Sequence, residues 1–308
     1  MKTRAIYILP LFIFLIIFLA LWQIQKLDRS KVTNINEVSE VAKSPPVTEL
    51  PVLVDTEKDS EQVNDKEITD DYQTLKDRII SKFINQIPLQ WNEVVDGVKT
   101  KLSTGEKVIA LTFDACGGSR GSGYDRDLIN YLIDNQVPVT LFINARWIDA
   151  NFEIFGQLAD NPLFEIANHG TEHKPCSVNS KSIYGEAGTN NVGEVVDEIE
   201  KNARKIEAII GHRPKYYRSG TAYYDEVCVR VSEDLGHEVA GFNVLGDAGA
   251  TFLKEQVKKA LLSVSPGSIV LLHMNQPNGD TAEGVIAAIP MLKEMGYSFV
   301  LLSEHVLE

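Results

Sequence analysis

The chain has 308 residues, of which 44% are hydrophobic, 24% charged and 8% aromatic. This composition is typical of a globular protein, and it excludes a fully disordered chain, a collagen-like repeat and a disulfide scaffold. The net charge of −13 argues against a nucleic-acid partner, because an acidic surface repels phosphate backbones. The three cysteines, Cys116, Cys176 and Cys228, allow at most one disulfide within the chain.

The beginning of the chain is strongly apolar. Residues 5–25 contain no charged side chain, and a run of this length can cross a membrane as a helix. No small-residue cleavage site ends the run, which favours a retained anchor over a cleaved signal peptide. We therefore expect residues 1–27 to be a single-pass membrane anchor, with the rest of the chain outside the cytoplasm, or secreted if this segment is cleaved.

An acidic segment follows. Residues 31–80 carry twelve acidic and six basic side chains and have little helical or strand periodicity. We interpret residues 28–85 as a solvated, flexible stalk that ends in a short amphipathic helix. The helix is predicted over 72–85, and its apolar face of Leu75, Ile79, Ile80 and Phe83 is expected to pack on the next domain.

Residues 86–308 are predicted to form one domain in which short apolar strands alternate with amphipathic helices. The strands are predicted at 108–113, 139–144, 164–168, 216–218, 239–244, 269–273 and 298–302. The helices are predicted near 124–135, 149–160, 191–210, 224–235, 253–264 and 281–295. This alternation indicates a parallel sheet with helices outside it, either open and doubly wound or closed as a barrel.

Ionisable residues stand where these strands end. In a parallel α/β fold ligands bind at the carboxyl ends of the strands, so residues there are the first candidates for a site. Five predicted strands place such groups at or just beyond their ends: Asp114, His169 and His173, Arg218, Asp247, and His273.

The residue types in this set suit hydrolytic chemistry. His169 and His173 are separated by three residues just past a strand, a spacing that lets two imidazoles reach one divalent metal. Asp114 ends a very apolar strand, where burying a carboxylate is costly unless it is paired or binds a metal. His273 could supply a proton to a leaving group, with Asp247 orienting it.

The motifs VIALTFD, NHGTEH, YYRSG and SIVLLH, in this order, resemble those of the polysaccharide deacetylase family, carbohydrate esterase family four. The resemblance covers roughly residues 108–302. It implies a distorted (β/α)7 barrel and a divalent metal, commonly zinc, that serves to remove acetyl groups from sugars. The substrate it implies is an N-acetylated polysaccharide such as peptidoglycan or a chitin-like glycan.

The resemblance also implies a role for each matching residue. Asp114 would be the general base, and Arg218 would orient it through a charge-assisted pair. His169 and His173 would be metal ligands. His273 would protonate the leaving group, with Asp247 beside it.

The first motif departs from the family pattern, which has two consecutive aspartates, base and then metal ligand. Here the second is Ala115, which would weaken metal binding. Asp114 could itself be the ligand, water and substrate could fill the position, or sulfur could contribute from Cys116 or Cys176. Between a metal role for these cysteines and a Cys116–Cys176 disulfide, we favour the disulfide in an extracytoplasmic compartment. Cys228 is expected to be a buried thiol.

The sequence thus predicts a metal-dependent deacetylase acting on glycan outside the cytoplasmic membrane. The alternative is a glycan-binding module that keeps the barrel but has lost metal and catalysis with the change at Ala115. A metal-free hydrolase of another carbon–nitrogen bond is a third hypothesis. The third motif also departs from the family, because Ser219, Gly220 and Thr221 follow Arg218 in place of prolines and a glycine.

Overall fold

The structure, a computed structural model, describes residues 71–308. The anchor predicted at 1–27 and most of the predicted stalk lie outside the described residues. Within residues 71–308, no helix is both long enough and apolar enough to cross a membrane.

A curled sheet of parallel strands forms the centre of the domain. Its strands are β1 (Val108–Ala115), β2 (Val139–Ile143), β3 (Phe164–Asn168), β6 (Tyr216–Tyr217), β7 (Glu238–Val239), β8 (Val244–Leu245), β9 (Ile269–His273) and β10 (Ser298–Phe299). The main path of the sheet has the order β7-β6-β3-β2-β1-β9-β8, and β10 pairs with the beginning of β1.

The two ends of this sheet curl towards each other. β7 and β8 lie at opposite ends of the strand order, yet only residues 240–243 connect them. A fully extended connection from residue 239 to residue 244 spans at most about 18 Å. The arrangement fits a distorted barrel that is open between β7 and β8. The single strand predicted over 239–244 is therefore wrong, because that segment leaves one edge of the sheet and joins the other.

Helices cover the outside of the sheet. They are α1 (71–83), α2 (Arg126–Asp134), α3 (Ala145–Ala150), α4 (Phe152–Ala159), α5 (Val192–Ile210), α6 (Glu226–Asp234), α7 (Lys254–Leu261) and α8 (Thr281–Glu294), and a 3₁₀ turn (Leu302–Glu304) lies near the C-terminus. The helix predicted at 149–160 is two helices, because Asn151 leaves helical geometry at φ −135° and caps both.

Buried apolar side chains hold the central strands of the sheet in place. All residues of β1 are buried, as expected for a central parallel strand covered on both faces. The largest apolar cluster joins β1, β2 and β9 to the helices through side chains such as Leu111, Leu141, Trp147 and Leu272. Burying such side chains stabilises the fold by about 1.5–3 kcal/mol each. This rigid centre fixes the positions at which β1 and β9 end.

Helix α1 packs on the domain through the apolar face predicted from the sequence. Ile79 and Phe83 are buried in a second cluster, which includes Val195 and Ile199 of α5. Lys76 pairs with Asp197 at 2.7 Å, which adds a polar contact to the same helix. The apolar core of the described chain therefore begins before residue 86.

A small hairpin was not predicted. Strands β4 (Ser182–Ile183) and β5 (Glu186–Ala187) pair in antiparallel fashion within the long connection between β3 and α5. The tip residues Tyr184 and Gly185 both have positive φ, at 55° and 81°. The hairpin projects over the carboxyl end of the sheet and forms part of the wall of a cleft there.

Candidate active site

Asp114 stands near the end of β1, with its side chain almost fully buried at the carboxyl edge of the sheet. Its Oδ1 accepts a hydrogen bond from Arg218 Nη1 at 2.8 Å, and its Oδ2 lies 3.6 Å from His169 Nε2. Burial opposes ionisation of this carboxyl. The nearby charge of Arg218 outweighs that effect and, with the imidazoles of His169 and His273, holds the pKa of Asp114 below its ordinary value.

Arg218 follows β6 and is completely buried. Besides Asp114, its guanidinium donates to Thr112 Oγ1 at 2.9 Å and to the carbonyls of Ala240 and Gly241 at 3.0 Å each. It also lies over the ring of Phe142, 4.0 Å from the centroid. A planar cation with this many partners has one fixed orientation, so Asp114 is fixed with it.

His169 comes directly after β3, and its ring is oriented by the backbone of Arg218. The Nδ1 of His169 lies 2.9 Å from the carbonyl oxygen of Arg218. Because a carbonyl can only accept, Nδ1 carries a proton, and in the neutral imidazole Nε2 presents a lone pair. Outer partners of this kind fix the tautomer of metal-binding histidines.

His173 lies on a loop whose backbone is hydrogen-bonded to a side chain of α5. The buried carboxylate of Glu198 accepts hydrogen bonds from the backbone N–H of Glu172 at 2.9 and 3.0 Å and of Lys174 at 3.1 Å. His173 itself has φ +62°, and a side chain on Gly220 would lie only 2.1 Å from its carbonyl oxygen. The loop therefore depends on a glycine at 220 for its path.

Cys116 turns towards the two histidines. Its Sγ lies 3.8 Å from Nε2 of His169, and the donor atoms of Cys116, His169 and His173 all lie within 4.8 Å of one another. Burial raises the pKa of this thiol, but the charge of His173 and hydrogen bonds from the neighbouring imidazoles lower it well below its ordinary value. These three side chains form what we call the Cys–His–His group.

The predicted Cys116–Cys176 disulfide is wrong. All three cysteines are free thiols. Cys176 is fully buried in the second apolar cluster, where it packs with Tyr217 and Cys228. The backbone N–H of Cys176 donates to the carbonyl of Tyr223 at 3.0 Å, so the loop runs beneath the site instead of along its rim. The expectation that Cys228 is a buried thiol is confirmed.

His273 ends β9 and pairs with Asp247. Its Nδ1 lies 2.8 Å from Asp247 Oδ1, and its backbone N–H donates to Asp247 Oδ2 at 2.7 Å. Thr281 donates to the same Oδ2 at 2.9 Å, at the start of α8. Burial lowers the pKa of His273, but the Asp247 carboxylate reverses that effect and raises the pKa well above its ordinary value.

These groups face a cleft of about 650 Å³ at the carboxyl edge of the sheet. Tyr184 lines the cleft, and its ring centroid lies 5.7 Å from that of Tyr223, which in turn lies 5.6 Å from that of Trp91. The other residues that line the cleft include Glu93, Arg120, Arg146, Glu186 and Asn275. Aromatic rings beside polar groups form the kind of concave surface that holds a small polar ligand.

The donor chemistry of the Cys–His–His group fits a divalent metal. Imidazole and thiolate are the ligands that zinc prefers, and catalytic zinc sites usually have three protein ligands and one open position. Cys116 and His173 line the cleft and His169 is buried beside them, so an ion held by the three could reach a substrate. Their arrangement satisfies the ligand number and the access that such a site requires.

Of the predicted site residues, Asp114, His173 and His273 line the cleft. The other three, His169, Arg218 and Asp247, are buried behind them and contact Asp114 or His273. Together the predicted residues form two pairs and one group: Asp114 with Arg218, His273 with Asp247, and His169 with His173. Sequence reasoning missed Glu198, whose signal is a glutamate on the apolar face of an amphipathic helix between Val195 and Ile199. It also missed Tyr184, because nothing in the local pattern indicated the hairpin.

The comparisons with known proteins agree with this arrangement. Residues 101–240 match the family model described as polysaccharide deacetylase. This match agrees with the resemblance that the motifs had indicated.

The curated relatives are matched over part of their length. The chain spans 53% and 30% of the length of two curated relatives. The second is the bifunctional xylanase/deacetylase of Pseudobutyrivibrio xylanivorans, which is 24% identical over 204 residues, or 65% of this chain.

Solved structures share the fold. A Bacillus anthracis family-four pseudoenzyme superposes with a TM-score of 0.56 at 21% identity, covering 69% of each chain. The Bc1960 peptidoglycan N-acetylglucosamine deacetylase superposes with a TM-score of 0.57 at 20% identity, covering 68% of this chain and 92% of that one. At these identities the likeness concerns the fold alone.

Proposed function

We propose that this protein is a metal-dependent hydrolase that removes acetyl groups from an N-acetylated polysaccharide. The observation that carries the proposal is the placement of two charged pairs, Asp114–Arg218 and His273–Asp247, beside the Cys–His–His group in one cleft. A base, an acid and a set of metal donors are the three parts that metal-assisted amide hydrolysis uses.

The base in this proposal is Asp114. Its Oδ1 is occupied by Arg218, which leaves Oδ2 to accept a proton from the attacking water. Because Arg218 favours the charged form, the carboxylate is ready to accept that proton at neutral pH. Arg218 acts through Asp114, so we assign it a positioning role.

The acid in this proposal is His273. The Asp247 carboxylate keeps its imidazole protonated at neutral pH, and Nδ1 is held by that carboxylate, so Nε2 is the atom that donates. As the carbon–nitrogen bond breaks, this proton passes to the leaving nitrogen and frees the sugar amine. Acetate is the other product.

His169 and His173 would hold the metal, together with a further ligand. A divalent cation bound there supplies Lewis-acid chemistry, which lowers the pKa of water and stabilises negative charge that develops on oxygen. Nδ1 of His169 keeps its bond to the Arg218 carbonyl, so the same arginine orients both a ligand and the base.

We further propose that the substrate is a cell-wall glycan and that the protein acts outside the cytoplasmic membrane. The support comes from the apolar segment at residues 5–25 and from the substrate class in the name of the peptidoglycan deacetylase that shares this fold. The test is protease treatment of intact cells that produce the full chain with a C-terminal tag. Loss of the tag supports the location, and protection of the tag until the cells are lysed contradicts it.

The activity is tested by acetate release from N-acetylglucosamine oligomers and from peptidoglycan, using the purified full chain. We expect release that a chelator abolishes and that zinc or cobalt restores. Asp114→Asn should lower the rate by about 10²–10⁴-fold, the usual contribution of a general base. The matched control is Asp127→Asn, an exposed aspartate in the first turn of α2, which should leave the rate unchanged.

A glycan-binding module is the second candidate. It is favoured by Ala115 in the first motif and by the pseudoenzyme that shares the fold. A folded protein that binds these oligomers but releases no acetate with any metal would support this module and contradict the enzyme.

A further inference from the structure

Ala115 occupies the place of the family's second aspartate, but it provides no ligand. Its side chain is fully buried within the largest apolar cluster, beside residues such as Trp147 and Ile143. A carboxylate there would be surrounded by apolar groups, at a cost of several kcal/mol unless it were paired. The ligand missing from the first motif must therefore come from another residue.

The backbone after Ala115 directs the next side chain into the cleft. Gly117 and Gly118 both have positive φ, at 70° and 78°, so the chain turns sharply after Cys116. A Cβ on Gly117 would lie 2.5 Å from the backbone nitrogen of Trp147, so the turn is closely packed. Arg146 Nη2 donates to the Cys116 carbonyl at 3.1 Å and fixes that residue.

The distances fit a shared ion. Tetrahedral zinc with bonds of about 2.3 Å to sulfur and 2.0–2.1 Å to nitrogen places these ligand atoms about 3.6 Å apart. Cys116 Sγ lies 3.8 Å from His169 Nε2, and no pair of donor atoms in the Cys–His–His group is more than 4.8 Å apart. A small rotation of the side chains is enough to bring all of them to one ion.

Other donors near the group are already engaged. Asp114 gives Oδ1 to Arg218 at 2.8 Å, so only Oδ2 remains, and the proposed mechanism uses that oxygen as the base. Glu172 is 60% exposed and pairs with Lys174 at 2.8 Å. Cys176 is buried in the second cluster.

We infer that the thiolate of Cys116 is the third protein ligand of the metal, replacing the carboxylate that Ala115 cannot supply. The inference rests on the proposed function for the existence of a metal. It leaves Asp114 free as the base, so the altered first motif is compatible with catalysis. The site becomes Cys–His–His with one open position facing the cleft.

A thiolate ligand changes which metals the site accepts. Thiolates select soft or borderline ions such as zinc and cobalt, whereas carboxylate-rich sites suit magnesium, calcium and manganese. We therefore expect zinc to bind tightly and a large excess of magnesium or calcium to compete poorly.

The experiment is X-ray absorption at the zinc edge on the zinc-loaded full chain. We expect one sulfur scatterer at about 2.3 Å together with nitrogen or oxygen scatterers at about 2.0–2.1 Å. Cobalt-loaded protein should show a sulfur-to-cobalt charge-transfer band in the near ultraviolet. Both signals should vanish in Cys116→Ala and persist in the matched control Cys228→Ala, which removes a thiol from the core.

Affinity gives an independent measurement. Cys116→Ala should weaken zinc binding by more than about 100-fold, because loss of outer-shell partners alone costs 10–100-fold. Cys116→Asp should recover part of that affinity without the sulfur signals. If Cys116→Ala does not fold, alkylation of the wild-type chain decides the question, since zinc should protect Cys116 from iodoacetamide.

Two results overturn the inference. Zinc surrounded only by nitrogen and oxygen in the wild type would assign the third position to Asp114 or solvent, even if acetate is released. Rapid alkylation of Cys116 in zinc-saturated protein would do the same. Failure of the proposed function would give a different result. The metal and its sulfur ligand would both be detected, but the protein would release no acetate.

Discussion

The two halves of the cleft differ in how completely their polar groups are paired. In the acid–base half, Asp114 and His273 each have an oppositely charged partner at 2.8 Å. In the Cys–His–His group, Cys116 Sγ and His169 Nε2 lie 3.8 Å apart. Direct charged contacts hold the acid–base half together, whereas the donor atoms of the Cys–His–His group, which we call the metal half, lie farther apart.

The difference follows from the elements that carry each half. Asp114, Arg218 and His273 stand at or next to the ends of β1, β6 and β9, which the core holds rigidly. Cys116 and His173 stand on loops that follow β1 and β3, and glycine turns and Glu198 hold those loops in place. Damage to the first half should therefore reduce catalysis and stability, and damage to the second should reduce metal affinity.

The largest effect is expected from Arg218→Met. This change leaves the Asp114 carboxylate buried without its partner, and breaking a buried ion pair in this way typically costs 3–5 kcal/mol. We expect a loss of that size in the free energy of unfolding, measured with urea, and loss of acetate release.

The double variant Arg218→Met/Asp114→Asn isolates the pairing. It should lose less stability than the sum of the single variants, because the second change removes the unpaired charge. Additive losses would contradict the view that Asp114 depends on Arg218 for its charge.

Asp247→Asn should have the next largest effect. The Asp247 carboxylate raises the pKa of His273, so its loss lowers that pKa and deprotonates the acid at a lower pH. We expect kcat/KM at neutral pH to fall by about 10–100-fold, less than removal of the acid itself would cost.

The pH at which kcat/KM declines distinguishes an effect of Asp247 on the pKa of His273 from a purely structural effect. The alkaline limb of kcat/KM should move to lower pH in Asp247→Asn, and zinc affinity should stay at the wild-type value. Thr281→Val removes one hydrogen bond to Asp247 Oδ2 but keeps the Asp247 charge, so its alkaline limb should not move to lower pH. An unshifted alkaline limb in Asp247→Asn would contradict the proposal that Asp247 raises the pKa of the catalytic acid.

Glu198→Gln should affect the metal half alone. The buried carboxylate holds the backbone of the loop that carries His173, and an amide keeps only one of its two acceptors. We expect zinc affinity to fall by about 10–100-fold, as for other outer-shell changes. Activity at saturating zinc should stay close to that of the wild type.

The control for Glu198 is Glu207→Gln, an exposed position on the same helix. Zinc titration followed by calorimetry would compare the two. Equal affinities in both variants would mean that the loop keeps its shape without Glu198.

Much of the site could be predicted because parallel topology collects the ends of strands. Asp114, Arg218 and His273 were predicted to share one edge from their positions in the strand pattern alone, and the structure brings them together. Two cysteines near the same edge could not be distinguished in this way. Whether a loop side chain faces the cleft or the core depends on contacts distant in sequence, such as the bond from Cys176 N–H to the Tyr223 carbonyl.

The change of strand partners within residues 239–244 could not be predicted for the same reason. The apolar run at 239–244 has the composition of one strand, but its residues pair with β6 at one edge and with β9 at the other. Local composition predicts that a segment is extended, and only the closure of the whole sheet determines which neighbours it finds.

The smallest effect concerns a titratable group away from both halves, and it separates pH effects on catalysis from pH effects on folding. His237 lies before β7, almost fully buried and beside the Arg213 guanidinium. Burial, aided by the Arg213 charge, lowers the pKa of His237 to about 3. In the unfolded chain the same imidazole has a pKa of about 6.5.

The sign follows from which state takes up the proton. Above about pH 6.5 neither state is protonated at His237, and below that value only the unfolded state binds a proton. The free energy of unfolding should therefore fall as the pH decreases from about 6.5 towards 3, and His237 should account for about 2 kcal/mol of the loss at pH 5. Urea unfolding of His237→Gln should show a pH 7.5 to pH 5 decrease that is smaller by that amount, whereas an equal decrease in both proteins would show that His237 is not the group responsible. Acetate release per folded molecule should have the same pH profile in both, because His237 touches neither half of the cleft.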